Sequence, residues 1–165
     1  MVKVDALKGE DILVRTQHIE DRLALKELVD NVSRLTAERN MLLQVAYFTD
    51  YATLETYAPG NRVVILNGSD EIRNALGRFL TLFETVYQLN GQHVVNVSGD
   101  RATGILYCTV TIVGGYYCKR VKFTMNISYD DLYVRDGATW LIERRKMTVH
   151  YREAVELASG KFIKL

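Results

Sequence analysis

The sequence predicts an α+β fold, in which about three N-terminal helices cover one face of a mostly antiparallel sheet. Two observations predict it. Apolar residues recur at helical spacing early in the chain, as at Leu28, Val32 and Leu35. From Gln92 onward, apolar and polar residues alternate, and glycine-containing pairs that favour turns separate the alternating segments. Helices followed by a long meander of strands define this fold class.

The composition fits one globular domain. Of the 165 residues, 48% are hydrophobic and 25% are charged, and there is one proline. We therefore expect a single domain over residues 1–165 with its core at about 17–152. Residues 1–15 are expected to form a loosely held, flexible arm, and residues 153–165 a flexible tail.

Charge, hydropathy and cysteine content narrow the possible partners. The net charge is +1 with dispersed charged residues, without the basic stripe that nucleic acid binding needs. No apolar run reaches the roughly 20 residues of a membrane span, and residues 1–10 lack a signal-peptide core. We expect a cytoplasmic protein with no nucleic acid or membrane partner. Cys108 and Cys118 should be reduced; no metal-ligand spacing occurs, and we expect no cofactor.

Three helices are predicted in the first half of the chain. Residues 17–37 form an amphipathic helix that Thr16 could cap, with an apolar stripe of Ile19, Leu23, Leu28, Val32 and Leu35. Residues 41–47 form a second, more apolar helix. A third opens at Gly68, with Ser69 as its cap and acidic residues in its first turn.

Strands and turns account for most of the remainder. Residues 52–57 and 62–66 are short strand candidates around Pro59-Gly60. The later strands are predicted at 92–98, 101–113, 116–135 and 140–152, with turns at Gly99-Asp100, Gly114-Gly115 and Asp136-Gly137.

Opposite charges set the expected register of the last hairpin. A two-residue loop would place Asp130 opposite Glu143, which is destabilising. A four-residue loop from Asp136 to Thr139 instead places Arg135 opposite Trp140, Asp131 opposite Arg144 and Asp130 opposite Arg145.

Chaining the predicted hairpins gives one strongly apolar sheet face and one mixed face. The mixed, outer face contains Tyr107, Met147 and Val149, and it is apolar enough to predict a homodimer or homotrimer. The inner face carries Val95, Val97, Ala102, Leu106, Cys108, Val110, Phe123, Met125, Ile127, Trp140 and Ile142.

Four stretches resemble the SnoaL-like branch of the nuclear-transport-factor-two-like superfamily. They are Ile19-Glu-Asp-Arg-Leu23, Gly68-Ser-Asp-Glu-Ile72, Gly99-Asp-Arg-Ala102 and the segment 129–145. The resemblance implies a cone, with a curved sheet wrapped around the helices and an internal pocket. Proteins of this fold include isomerases, dehydratases, hydrolases and non-enzymes, and dimers or trimers are common.

The resemblance also indicates where family enzymes carry their catalytic groups. Many have a Tyr and an Asp on the first helix, where this chain has Val32 and Ala37. Many have a His at the start of the first long strand, where this chain has Tyr87-Gln88. An acid or His often follows in the next strand, where Leu106, Cys108 and Val110 stand.

Three residues are candidates for catalysis. His93 shares the inner face and could act as a general base in an apolar pocket; alternatively, it is bonded to backbone or water. His150 is predicted on the same face, as a second catalytic group or as a rim histidine. Tyr129 could donate to a developing oxyanion, or it could simply pack in the core.

Other residues could bind a hydrophobic small molecule. Asp131 and Arg144 could grip a substrate carboxylate, or they could form a structural ion pair. The expected ligand-binding residues are Tyr47, Tyr57, Leu106, Cys108, Val110, Phe123, Met125, Asp131, Trp140 and Arg144.

Two functions follow from these residues. One is a cofactor-independent dehydratase or isomerase that acts by His/Tyr proton transfer. The other is a non-catalytic ligand-binding or assembly protein that uses the same pocket and the outer face.

Overall fold

The computed structural model describes residues 2–60 and 62–158, and it describes their side chains except those of 2–11 and 62. The helices are α1 (Val2–Ala37), α2 (Met41–Val45) and α3 (Ser69–Leu80). The strands are β1 (Phe48–Ala58), β2 (Arg62–Asn67), β3 (Thr85–Ser98), β4 (Arg101–Tyr116), β5 (Lys119–Asp136) and β6 (Thr139–Glu156).

One curved six-stranded sheet, in the order β2-β1-β6-β5-β4-β3, forms the body of the fold. Among the described strands, β1 and β6 are parallel neighbours and the other pairs are antiparallel. Helix α1 lies against β3 and β6, and α3 lies against β1 and β2. The predicted α+β class is confirmed. Within the described residues, none of the helices is long and apolar enough to cross a membrane.

Helix α1 is longer than predicted, and its buried stripe differs. It begins at Val2, so the segment predicted as a loose arm is helical. Leu25 and Val29 are fully buried, whereas Ile19 and Leu23, which were expected in the buried stripe, are more than half exposed. The buried side chains thus follow the i, i+3, i+4 rule from Leu25 onward.

The start of α3 and the end of the chain also differ from the predictions. The cap of α3 is Gly68, at φ 84°, and no side chain caps the helix, so the predicted role of Ser69 is wrong. Strand β6 continues to Glu156, so 153–156 belong to the sheet and not to a tail. Residues 159–165 of the predicted tail lie outside the described residues.

The turn between β4 and β5 is not at Gly114-Gly115. Strand β4 continues to Tyr116, and Tyr117 and Cys118 form the turn with φ of 46° and 61°. Gly114 serves a close approach instead, because a Cβ there would lie 3.0 Å from the Phe83 ring. Cys108 therefore pairs with Ile127 rather than with residue 121. The pairing partner is thus displaced by an even number of residues. Because side chains alternate between the two faces of a strand, the predicted inner face is retained.

The β3–β4 hairpin follows the predicted register from Ser98–Arg101 to His93–Leu106. The β5–β6 hairpin does so only near its turn. Arg135 pairs with Trp140, but the register shifts between Tyr133 and Leu132.

This shift is a β-bulge at Glu143, which changes the inner partner of Asp131. Asp131 pairs with Arg145, and Asp130 pairs with Lys146. A one-residue shift turns every later side chain to the other face. Arg145 therefore points inward and Arg144 is exposed. Met147 and Val149, which were predicted on the outer face, pack against the core.

Candidate functional site

A cavity of about 170 Å³, open in part to the outside, lies between the helices and the inner face of the sheet. Its walls are mostly apolar and come from all three helices and five strands. The lining side chains are Val32, Thr36, Gln44, Phe48, Leu54, Thr56, Leu76, Phe79, Leu80, Val86, Gln88, Val110, Ile112, Met125, Ile127, Tyr129, Arg145 and Met147.

The structure brings three of the predicted ligand-binding or catalytic residues to the cavity: Val110, Met125 and Tyr129. Five of the others pack in the surrounding core. Leu106, Cys108 and Trp140 are buried there, and Tyr47 and Phe123 pack partly buried against it.

Tyr57 and Arg144 lie apart from the cavity lining. The Tyr57 hydroxyl donates to Glu55 at 2.8 Å, and Lys146 lies 4.9 Å from the centre of its ring. Arg144 is exposed. Its predicted pairing with Asp131 is wrong, because the bulge at Glu143 gives that place to Arg145.

Arg145 is the one charged side chain that lines the cavity within the described residues. Its Nε–H donates to Asp131 Oδ1 at 2.8 Å, and its Nη2–H donates to Asp131 Oδ2 at 2.6 Å. The guanidinium also lies 4.5 Å from the centre of the Tyr129 ring. Burial alone would lower the Arg145 pKa, but the charge and hydrogen bonds of Asp131 outweigh it and raise that pKa.

Tyr129 contributes a neutral phenol to the cavity wall. Burial raises its pKa well above the ordinary value, with a smaller effect from the neighbouring Cys108 thiol. Burial likewise raises the pKa of Cys108 to about 11. Both groups are therefore protonated at neutral pH, and Cys108 is not an activated nucleophile.

His93 is close to this polar group but is not among the side chains that line the cavity. Tyr133 donates its hydroxyl proton to Asp131 Oδ2 at 2.7 Å. His93 Nε2 lies 3.2 Å from the same hydroxyl oxygen, so Nε2–H must be the donor in that contact. Nε2 thus already carries a proton and cannot take one from a ligand in the cavity.

Burial lowers the pKa of His93, while the charges of Asp131 and Asp30 act in the opposite direction. The imidazole is therefore neutral at pH 7.

His150 is on the outer face, so its predicted placement on the inner face was wrong. A second register shift, between Ile127 and Asn126, turns its side chain away from the inner face of the sheet. It is exposed, and its Nε2 lies 2.8 Å from Ser128 Oγ.

The sequence comparison decides the family. A model of the SnoaL-like domain matches residues 17–146. The chain belongs to the SnoaL-like domain family. A comparison of the sequence with curated proteins returned no match.

Several solved structures are similar in fold over most of this chain. One is a provisionally assigned scytalone dehydratase from Novosphingobium aromaticivorans, with 18% identity, TM-score 0.73, and coverage of 92% of this chain and 98% of that one. Another is hexachlorocyclohexane dehydrochlorinase LinA-type3 from Novosphingobium barchaimii LL02, with 16% identity, TM-score 0.69, and coverage of 90% and 98%. At these identities the likeness shows the fold alone.

Two of the residues at which the resemblance led us to look for catalytic groups line this cavity, and neither is an acid or a base. Val32 stands on α1, and Gln88 stands at the start of β3. Gln88 Nε2–H donates to Ser33 Oγ at 2.8 Å and to Asn90 Oδ1 at 2.9 Å. Asn90 in turn donates to Asp30 at 3.0 Å. Gln88, Ser33, Asn90 and Asp30 thus form a hydrogen-bonded network beside the cavity.

Gln44 is a cavity residue that the sequence analysis did not single out. It is 3% exposed, and its Oε1 has no hydrogen-bond partner within the described residues. A polar residue within the otherwise apolar segment Met41-Leu-Leu-Gln-Val45 was the available signal. No group of three His, Cys, Asp or Glu that could hold a metal occurs among the described residues.

Proposed function

We propose that this SnoaL-like chain binds a small hydrophobic molecule in the interior cavity, and that it binds without transferring protons. The observation that carries the proposal is the cavity itself, whose walls are mainly aliphatic and aromatic. Ligand sites are typically apolar concavities with a few polar groups that fix orientation. Arg145, Tyr129 and Gln44 are those groups here.

The volume indicates the size of the ligand. A dry apolar cavity of about 150 Å³ is enough to hold benzene. The cavity here, of about 170 Å³, therefore fits a molecule of one ring with small substituents. A polycyclic ligand would exceed this volume and extend beyond it.

The titratable groups on the walls favour binding over proton transfer. Tyr129 and Arg145 both have raised pKa values, so neither accepts a proton at neutral pH. A general base must be within hydrogen-bond reach of the proton that it removes. Of the described lining residues, none is a His, Asp or Glu.

A cofactor-independent dehydratase or isomerase is the second candidate. Similar folds include proteins whose names give dehydratase or dehydrochlorinase activity. His93 also contacts the Tyr133 hydroxyl, which donates to Asp131. Asp131 is the ion-pair partner of Arg145, so His93 is connected to the cavity wall. In this candidate, the His93 ring would have to leave Tyr133 and reach the cavity.

Toluene is a suitable first probe, because it matches the size and polarity of the cavity. We expect saturating toluene to raise the Tm of the wild-type protein. Val110→Phe fills the cavity and should abolish the rise. Thr111→Phe adds the same ring to the opposite face of the same strand and should retain it.

Leu76→Phe on α3 is a second filling variant, in case Val110→Phe does not fold. A Tm that toluene does not raise in the wild type contradicts the proposal, as does an equal rise in the filled variants. Turnover of a one-ring substrate that His93→Ala abolishes would favour the second candidate.

A further inference from the structure

We propose that residues 12–27 of α1 pair with the same segment of a second copy of this chain, as a short parallel two-stranded coiled coil. The contact is made by an exposed apolar stripe, called the α1 stripe below, which consists of Ile12, Thr16, Ile19 and Leu23. This surface is separate from the cavity and from the outer face of the sheet, so the inference goes beyond the proposed function.

The α1 stripe is open to solvent along its whole length. Ile12, Ile19 and Leu23 are 61%, 66% and 59% exposed, and Thr16 is exposed as well. Single large apolar residues on a surface are ordinary, but a contiguous row of them usually marks an interaction site. The exposure of Ile19 and Leu23, which the apolar pattern predicted to be buried, is therefore explained if they face a partner.

The α1 stripe lies on the side of the helix that is opposite the domain. Asp21 and Leu25 are buried, and the Asp21 carboxylate accepts a hydrogen bond from Arg135 at 2.7 Å. Ile19 and Leu23 precede these two buried residues by two positions, which corresponds to a rotation of about 200° around a helix. A second copy can therefore reach the stripe without displacing the sheet.

The spacing of the α1 stripe is that of a coiled-coil seam. Its members are separated by four, three and four residues. This alternation places Ile12 and Ile19 at d positions of a heptad, and Thr16 and Leu23 at a positions. The next d position is Lys26, so the apolar contact ends there. The seam spans about three helical turns, and we expect a weak pairing that depends on protein concentration.

Charged residues on the two sides of the α1 stripe determine the orientation of the pair. Arg15 and Arg22 follow one side, Glu20 and Glu27 follow the other, and all four are exposed. Charges at these g and e positions set partner choice and orientation in coiled coils. In a parallel pair, Arg15 faces Glu20 of the second copy, and Arg22 faces Glu27. In an antiparallel pair, Arg would face Arg and Glu would face Glu.

The same charges identify the occupant as a second copy of α1. A second copy presents an apolar stripe of equal length, and it presents the opposite charge to each of the four flanking residues. A membrane surface fits less well, because helices that lie on membranes carry mainly Lys and Arg beside the apolar face. Here Glu20 and Glu27 lie as close to the stripe as the arginines do.

Reversal of the charges on one side tests the partner and the orientation. Each variant also carries Tyr107→Glu, which weakens the predicted contact through the outer face. Arg15→Glu with Arg22→Glu, and separately Glu20→Arg with Glu27→Arg, should weaken self-association by roughly tenfold or more in sedimentation equilibrium, because four attractive pairs become repulsive. An equimolar mixture of the two variants should associate as tightly as the Tyr107→Glu parent.

A cysteine on the α1 stripe tests the register. These variants carry Cys118→Ser, because Cys118 is exposed whereas Cys108 is buried. Ile19→Cys should form a disulfide-linked dimer on mild oxidation, because equivalent d residues of a parallel pair lie opposite each other. Ala24→Cys, at an exposed position of the same helix outside the stripe, should not.

Three outcomes would overturn the proposal. The first is equal cross-linking of Ile19→Cys and Ala24→Cys. The second is self-association that neither charge reversal weakens, as expected of an antiparallel pair, in which like charges already meet. The third is a Tyr107→Glu parent that stays monomeric at every concentration tested, which would leave the stripe to a different protein. The toluene experiments on the cavity are independent of all three.

Discussion

The guanidinium of Arg145 and the carboxylate of Asp131 form a two-point ion pair, with N···O distances of 2.8 and 2.6 Å, beneath the cavity. Both side chains are at most 5% exposed. The pair exists because the bulge at Glu143 turns Arg145 inward, and it places a neutralised cation on an apolar wall.

Removal of Arg145 should strongly destabilise the protein. Arg145→Met leaves the Asp131 charge buried without its partner, and we expect a loss of about 3–5 kcal/mol of unfolding free energy. Urea unfolding measures it. Arg144→Met is the matched control, because its side chain is exposed, and it should change the free energy by less than about 0.5 kcal/mol. Equal losses in the two variants would contradict the observed register.

His93 should make the stability depend on pH in a defined direction. Its folded-state pKa is lowered by burial, so below about pH 6.5 the unfolded chain binds the proton more readily. The resulting loss of unfolding free energy is absent at pH 7.5. It grows as the pH falls from the pKa of His93 in the unfolded chain toward its lower pKa in the folded protein.

We therefore expect the Tm of wild-type protein to fall between pH 7.5 and 5, and to fall less in His93→Gln. Tyr133, Asp131, Arg145, Lys26 and Asp30 are the charged or titratable groups that affect this histidine. His150→Gln, on the outer face, is the control and should behave as wild type. Identical pH profiles for His93→Gln and wild type would show that His93 is not the group responsible.

Gln44→Met should stabilise the unliganded protein. An unsatisfied buried acceptor costs about 1–3 kcal/mol, whereas the hydrogen bond to Thr36 that is lost contributes about 0.5–1.5 kcal/mol. We expect a net gain of roughly 0.5–1 kcal/mol in urea unfolding. A loss of 1 kcal/mol or more would mean that Oε1 is well satisfied without ligand.

The outer face remains our predicted surface for self-association. Tyr87, Leu89, Val94, Ile105 and Tyr107 are each at least 41% exposed there, on neighbouring strands β3 and β4. We expect light scattering to give a dimer or trimer that Tyr107→Glu weakens. Tyr117 is 83% exposed in the turn between β4 and β5, and Tyr117→Glu should leave the assembly unchanged. A monomeric wild type would contradict the prediction.

The sequence specified the fold best where the turn chemistry was unambiguous. Gly99 and Gly137 both adopt φ of 59° in the turns predicted for them, and the pairing next to each turn was correct. The Tyr117-Cys118 turn could not be found in this way, because Tyr and Cys rarely adopt positive φ. Gly114 was mistaken for a turn residue, although it makes room for Phe83.

The candidate site was harder to predict than the fold. The bulge at Glu143 has no local sequence signature, yet it exchanges Arg144 for Arg145 and brings Met147 inward. The placement of His150 failed for the same reason. Gln44 was missed because its significance depends on a hydrogen bond to Thr36, which lies on a different helix.

The most direct test of cavity binding uses the methionine methyl groups as reporters. Met125 and Met147 line the cavity, whereas Met41 is buried but is not one of the lining residues. In ¹³C-methyl NMR spectra, assigned with Met→Leu variants, p-cresol should shift the Met125 and Met147 signals in a saturable way and leave Met41 nearly unchanged. Absence of shifts, or equal shifts at all three, would contradict binding of a small hydrophobic molecule in the cavity.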